Sequence, residues 1–130
     1  MNSSATHPTV TCNLTGKLST SPQIDAWVGD LNQEERDTVT ALLTAFEAPP
    51  TPTEIRLRAG RLAQVALGWV QRMDLPPETP VLIEGPDFLI PALARRIISV
   101  GLKPVFAVYE RDTLTTLEDA DTIRFVEYTE

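Results

Sequence analysis

The apolar positions of this chain fall into short β-branched runs that alternate with stretches of helical spacing, and proline or glycine separates most of them. Thr9 to Leu14 (TVTCNL) reads as a strand, and it feeds the turn-prone segment Thr15, Gly16, Lys17, Leu18, Ser19, Thr20. Ser21 and Pro22 then resemble an N-cap and a first helical position, with Ile24, Trp27, Val28 and Leu31 on one helical face. From Asn32 to Ala48 two patterns overlap. Val39, Leu42, Leu43 and Phe46 have helical spacing, whereas Thr38 to Leu43 also fits a short strand; helix is the reading preferred. Pro49, Pro50 and Pro52 end that element, because a proline and the residue before it both resist helix continuation. Thr51, Pro52 and Glu54 supply an N-cap, an N1 proline and an N3 glutamate for a new helix. Its buried stripe is Ile55, Ala59, Leu62, Ala66, Trp69 and Met73, with Arg56, Arg61, Gln64, Gln71 and Arg72 on the polar faces.

After the breaker Leu75-Pro76-Pro77, Val81 to Glu84 predicts a strand, Gly85-Pro86-Asp87 a tight turn, and Phe88 to Val100 a helix closed by Gly101. A link through Lys103 and Pro104 leads to a further strand, Val105 to Tyr109. Both strands are nearly continuous apolar runs, as expected of parallel strands covered on both faces and joined by a right-handed helical crossover. The final segment, Ile123 to Tyr128, alternates like a half-exposed edge strand. The pattern predicts an α/β fold: a small Rossmann-like three-layer domain over residues 9–130, with a mainly parallel central sheet, a C-terminal edge strand and a polar tail at 1–8.

Composition narrows the function classes. A chain of 130 residues with 42% hydrophobic content can build one continuous core. A formal net charge of −7 opposes sequence-independent binding of long DNA or RNA, which draws its affinity from many cation–phosphate contacts. A small anion remains compatible, since a pocket needs only two or three well-placed cations. The apolar runs are too short to cross a bilayer and the polar start lacks a signal peptide's apolar segment, so a cytoplasmic protein with no membrane partner is expected. Cys12 is the one cysteine and reads as a core residue; His7 is the one histidine and sits in the polar tail. A serine–histidine–aspartate triad and a metal site are therefore poor fits, and no metal or cofactor is expected. Gly16-Lys17-Leu18-Ser19 lacks the preceding glycine and four-residue spacing of a P-loop, which argues against NTP hydrolysis.

In an open parallel sheet the loops leaving the carboxyl ends of the strands converge on one crevice. Three loops qualify here: Asn13 to Thr20, Glu84 to Phe88 and Glu110 to Thr116. They bring hydroxyls (Thr15, Ser19, Thr20), cations (Lys17, Arg111), the free backbone of Gly16 and Gly85, and carboxylates (Glu84, Asp87, Glu110). That set can cradle a phosphate or nucleotide. The same residues also admit a structural account, in which Gly16 and Gly85 serve turns, Asp87 caps a helix, and Arg111 pairs with Glu110 or Asp112.

Thr15-Gly16-Lys17-Leu18-Ser19, Val81 to Phe88 (VLIEGPDF), Gly101 to Arg111 (GLKPVFAVYER) and Phe125-Val126-Glu127-Tyr128 together resemble the small CARF-like ring nucleases of type III CRISPR systems, over nearly the whole chain. The resemblance implies a Rossmann-like, typically dimeric protein that cleaves cyclic oligoadenylates, chiefly cyclic tetra-adenylate, and so switches off the antiviral effectors those messengers activate. Carried over by position, it implies catalytic roles for Thr15, Lys17, Ser19 and Arg111. Substrate-binding roles then fall to Asn13, Gly16, Glu84, Gly85, Pro86, Asp87, Phe88 and Glu110. The chain departs from the family pattern at Gly16, where members often carry a histidine, and this puts an acid–base group in doubt. The alternatives are a non-catalytic sensor or sponge for the same messenger and an unrelated α/β interaction protein.

Overall fold

The computed structural model describes residues 9–46, 50–111 and 121–127. Along the chain these form β1 (Thr11–Asn13), α1 (Ser21–Asp25), β2 (Val28–Asp30), α2 (Gln33–Thr44), α3 (Pro52–Arg72), β3 (Pro80–Leu82), α4 (Ile90–Ser99), β4 (Lys103–Arg111) and β5 (Asp121–Glu127). The strands make one five-stranded sheet in the order β2-β1-β3-β4-β5, parallel except for β5, which runs antiparallel to β4 at the edge. This is an α/β arrangement compatible with a Rossmann-like fold. The chain steps from β1 outward to β2, then returns past β1 to β3 and β4. Right-handed crossovers accordingly put α1 on one face of the sheet and the α3–α4 layer on the other. The reversal lies between β1 and β3, so the topological switch point is at their carboxyl ends.

The core forms where α3 and α4 cover the sheet: Leu62, Ala66 and Trp69 of α3 and Leu93 and Ile97 of α4 pack with Cys12, Leu14, Val81 and Ile83. Trp69 reaches as far as β2 because Gly29 has no side chain; a Cβ there would lie 2.8 Å from the indole Cζ2. Four of the six residues expected in the α3 stripe are buried, and Ala63 and Val70 join them. Met73 is 53% exposed because the helix ends at Arg72 and Met73 is its C-cap.

Two of the helix expectations need correction and one stands. The first helix does not run on through Trp27, Val28 and Leu31. It stops at Asp25, Trp27 turns in the left-handed region at φ 66°, and Val28 begins β2. Its N-cap is Thr20, one residue earlier than expected, in a capping box with Gln23. The residues from 33 to 44 form a helix, opened by a second capping box in which Asn32 Oδ1 accepts from Glu35 N at 2.8 Å and Glu35 Oε1 accepts from Asn32 N at 3.0 Å. Its final carbonyls, Ala41, Leu42 and Ala45, accept from the Arg58 guanidinium of α3, which also pairs with Glu54 at 2.8 Å. The helix after β3 begins at Ile90 and not at Phe88, and its N-cap, Leu89, makes no side-chain capping bond. Asp87 therefore does not cap it. Phe88 is exposed and meets Phe46 edge to face with ring centroids 5.0 Å apart.

The largest difference is at β4. The strand starts at Lys103, tolerates Pro104 opposite Val81, and continues through Glu110 and Arg111, which pair in register with Thr122 and Asp121 of β5. These two residues were expected in a loop. β5 pairs with β4 from Val105 to Arg111, and this backbone ladder carries the strand past its apolar stretch. Residues 1–8, with His7, lie outside the described residues, as do residues 112–120. No helix among the described residues is long and apolar enough to cross a membrane.

Candidate functional site

The switch point is furnished by the loop after β1, the end of β2 and the loop after β3. Asn13, the last residue of β1, is buried at 2% exposure and organises the first loop with both ends of its amide. Its Nδ2 donates to Lys17 O (2.9 Å), Asp30 Oδ1 (2.9 Å) and, more weakly, Ser19 Oγ (3.2 Å). Its Oδ1 accepts from Thr15 N (3.1 Å) and Thr15 Oγ1 (2.6 Å). Thr15 Oγ1 in turn accepts from Lys17 N at 3.2 Å, closing a tight side-chain-stabilised turn. Gly16 at its apex has φ 81°, and its carbonyl accepts from Thr40 Oγ1 at 3.2 Å.

Asp30, at the carboxyl end of β2, fixes the far side of the loop. Its carboxylate accepts from Ser19 Oγ (2.5 Å) and from Ser19 N (3.1 and 3.3 Å). Partial burial pushes this carboxyl up, but the bonds from the Ser19 hydroxyl, the Asn13 amide and the Ser19 N–H, with the Arg36 charge, outweigh it and hold Asp30 below the usual carboxylate range. The hydroxyls of Thr15 and Ser19 are thus both committed to internal bonds. Asp30 was not among the residues singled out in the sequence, because the segment around it reads as helix. No local signal marked it, because the strand that ends on Asp30 is set by pairing with β1.

The loop delivers Lys17 to the crevice. Its Nζ lies 3.0 Å from Glu84 Oε2, across the seam between the β1 and β3 loops, and the two side chains are 73% and 58% exposed. A pair so open to solvent is held weakly and can exchange partners. Both residues border a depression of about 320 Å³, with Thr15, Thr40, Leu43 and Pro86. Glu84 also borders one of about 260 Å³, with Gln23, Asp87, Ile90, Phe106 and Ala107. Gly85 belongs to both, and its bare Cα lets the β3 loop lie against Leu43, to which a Cβ would come within 3.0 Å.

Of the residues singled out in the sequence, Asn13, Thr15, Gly16, Lys17, Ser19, Glu84, Gly85 and Pro86 are brought together here, and Asp87 borders the second depression. Phe88 faces Phe46. Glu110 and Arg111 lie at the far end of β4, and their side chains are outside the described residues. No group of three or more His, Cys, Asp or Glu side chains able to hold a metal ion occurs among the described residues. Comparison with family models, with curated proteins and with solved structures returns no match to this chain.

Proposed function

We propose that the chain binds a cyclic oligoadenylate, with cyclic tetra-adenylate the first candidate, in the crevice between the β1 and β3 loops and linearises it as a CARF-like ring nuclease. The supporting observation is the position of the Lys17–Glu84 pair at the switch point, 3.0 Å apart, exposed, and bordering a depression that continues past Glu84 into a second. A phosphate entering the crevice can take Lys17 from Glu84 at little cost. An RNA ring carries its own nucleophile. The ribose 2′-oxygen attacks the adjacent phosphorus, the bond to the 5′-oxygen breaks, the 2′-hydroxyl proton is lost and the 5′-oxygen gains one, leaving a 2′,3′-cyclic phosphate and a 5′-hydroxyl. Holding these atoms in line and neutralising the phosphate supplies the rate, with Lys17 on the phosphate oxygens and no metal in the step. Thr15 and Ser19 act as positioning residues, through the loop that carries Lys17. Arg111, at the end of β4, is the second phosphate contact in this proposal, and a two-fold dimer would present equivalent crevices to a symmetric ring.

A second reading has its own observation. Gly16 stands where a histidine would supply an acid or base, and a side chain there would meet Thr40 Oγ1 at 2.6 Å. With no side chain at that apex, the crevice fits a sensor or sponge that holds the messenger intact. Incubation with radiolabelled cyclic tetra-adenylate in EDTA, beside a binding assay, separates these. Linear products ending in 2′,3′-cyclic phosphate, lost in Lys17→Ala, support the nuclease. Binding without products, weakened by Lys17→Ala, supports the sponge. Neither binding nor cleavage by a folded preparation, tested with other ring sizes as well, removes both.

A further inference from the structure

The cationic charge of the chain is concentrated on the α3–α4 layer. Helices α3 and α4 carry Arg56, Arg58, Arg61, Arg72, Arg95 and Arg96 against one carboxylate, Glu54, within a chain of net charge −7. Two of these arginines are paired with carboxylates: Arg58 with Glu54 at 2.8 Å and Arg72 with Glu35 at 2.9 Å. Three others, Arg56, Arg61 and Arg96, line a cavity of about 570 Å³ bordered by α2, α3 and α4. No carboxylate among the described residues lines it; the arginines share it with Thr38, Gln64 and Ser99, and its apolar lining comes from Leu42, Leu57, Ala63, Val65 and Val100. Gly60 borders the cavity beside Arg96, and a Cβ there would sit at ordinary contact distance, 3.8 Å, from the guanidinium.

We propose that this cavity is a second binding site, separate from the crevice, for a small phosphorylated molecule with a flat apolar portion, of the chemical class of a nucleoside diphosphate. Three arginines on one cavity supply the positive charge an anion needs, and their planar forks match phosphate oxygens in pairs. The apolar lining takes the ring of such a ligand, and a volume of this size lies within the range of small-molecule sites. An extended polyanion fits less well, because the rest of the surface is acidic and would repel it.

Titration of the full ¹⁵N-labelled chain with ADP, with pyrophosphate and with adenosine tests this. The expected result is saturable shifts of the Gly60, Ala63, Ser99 and Val100 amides with ADP, weaker ones with pyrophosphate, and a Kd raised about tenfold or more in an Arg56→Gln/Arg61→Gln/Arg96→Gln variant, which removes every charge-assisted bond from these side chains. The substituted side chains are exposed, so the variant folds, and its unchanged circular dichroism is the control. Shifts confined to residues 13–19 and 83–87, equal binding by the variant, or equal shifts with adenosine overturn the proposal. So does binding only to vesicles of phosphatidylcholine and phosphatidylserine, which makes the face a lipid surface. Failure of the cyclic oligoadenylate reading leaves this test unaffected, because Lys17 is intact in every arm.

Discussion

Replacing Gly16 by alanine puts two separate burdens on the loop that carries Lys17. The backbone at this position has φ 81°, a region that costs an L-residue about 1–2 kcal/mol. The new Cβ would also lie 2.6 Å from Thr40 Oγ1, which must then turn away and give up its bond to the Gly16 carbonyl. A net hydrogen bond of that kind contributes about 0.5–1.5 kcal/mol, so the expected total is about 2–3 kcal/mol. Urea denaturation followed by circular dichroism reads this as a midpoint about 1–2 M lower at unchanged m, given m near 1–3 kcal/mol per molar for small proteins. The two contributions separate in a Thr40→Ala background. The hydroxyl is already gone there, so adding Gly16→Ala should cost only the backbone part, about 1–2 kcal/mol. A Gly16→Ala loss below about 0.5 kcal/mol, or the same loss in both backgrounds, would refute the geometry and with it the reason that no histidine stands at this apex.

Other perturbations test the loop and the core. Asn13→Ala leaves Thr15, Lys17, Ser19 and Asp30 without their shared partner in a buried position; a loss of about 2–4 kcal/mol in the same urea assay is expected, with cyclic oligoadenylate binding weakened in parallel. Asp30 titrates below its unfolded value, so its contribution to stability is present above an unfolded pKa near ~3.9 and is lost as pH falls through the lower folded value. Asp30→Asn should therefore flatten the acid limb of a stability–pH profile, and an unchanged acid limb would count against the Ser19 and Asn13 bonds. Burial pushes the Cys12 thiol far up, aided by the charge of Glu35 and opposed by Arg72. Native protein should resist a thiol reagent such as DTNB at pH 8 and react fully in urea; rapid labelling without urea would mean that β1 opens readily.

Much of the fold was legible because sequence and packing agreed. Thr51-Pro52-Glu54 carries a cap whose bond is formed, with Thr51 Oγ1 accepting from Glu54 N at 3.1 Å, and the apolar stripe that follows is the one α3 buries. Val81-Leu82-Ile83 is apolar throughout and lies at the centre of the sheet, in the only kind of place where such a run is stable. The segment from 20 to 31 misled for a physical reason. Ile24, Trp27, Val28 and Leu31 do recur at helical intervals, but the decision was made by long-range pairing of Val28–Asp30 with Thr11–Asn13, which no local pattern encodes. The price of the turn is a tryptophan at φ 66°, a conformation that sequence rules assign to glycine or asparagine. The same holds for Glu110 and Arg111, drawn into β4 by their partners on β5.

The site shows the same division. The residues at strand ends were visible because a parallel sheet leaves its loops there, whatever their chemistry. Their roles were not, because a hydroxyl in a list is donor and acceptor alike until its partners are known. Asn13 and Asp30 take up the hydroxyls of Thr15 and Ser19, and this turns two apparent reactive groups into the frame of a turn. Asp30, held low and already accepting three bonds from Ser19, is a poor proton acceptor at neutral pH. What the loop presents outward is one ammonium group, on a turn whose apex admits no side chain. The carboxylates open to the crevice are those of Glu84, beside Lys17, and Asp87. On the proposed nuclease reading the rate comes from alignment and charge, and the Lys17→Ala variant should lose binding and turnover together rather than turnover alone.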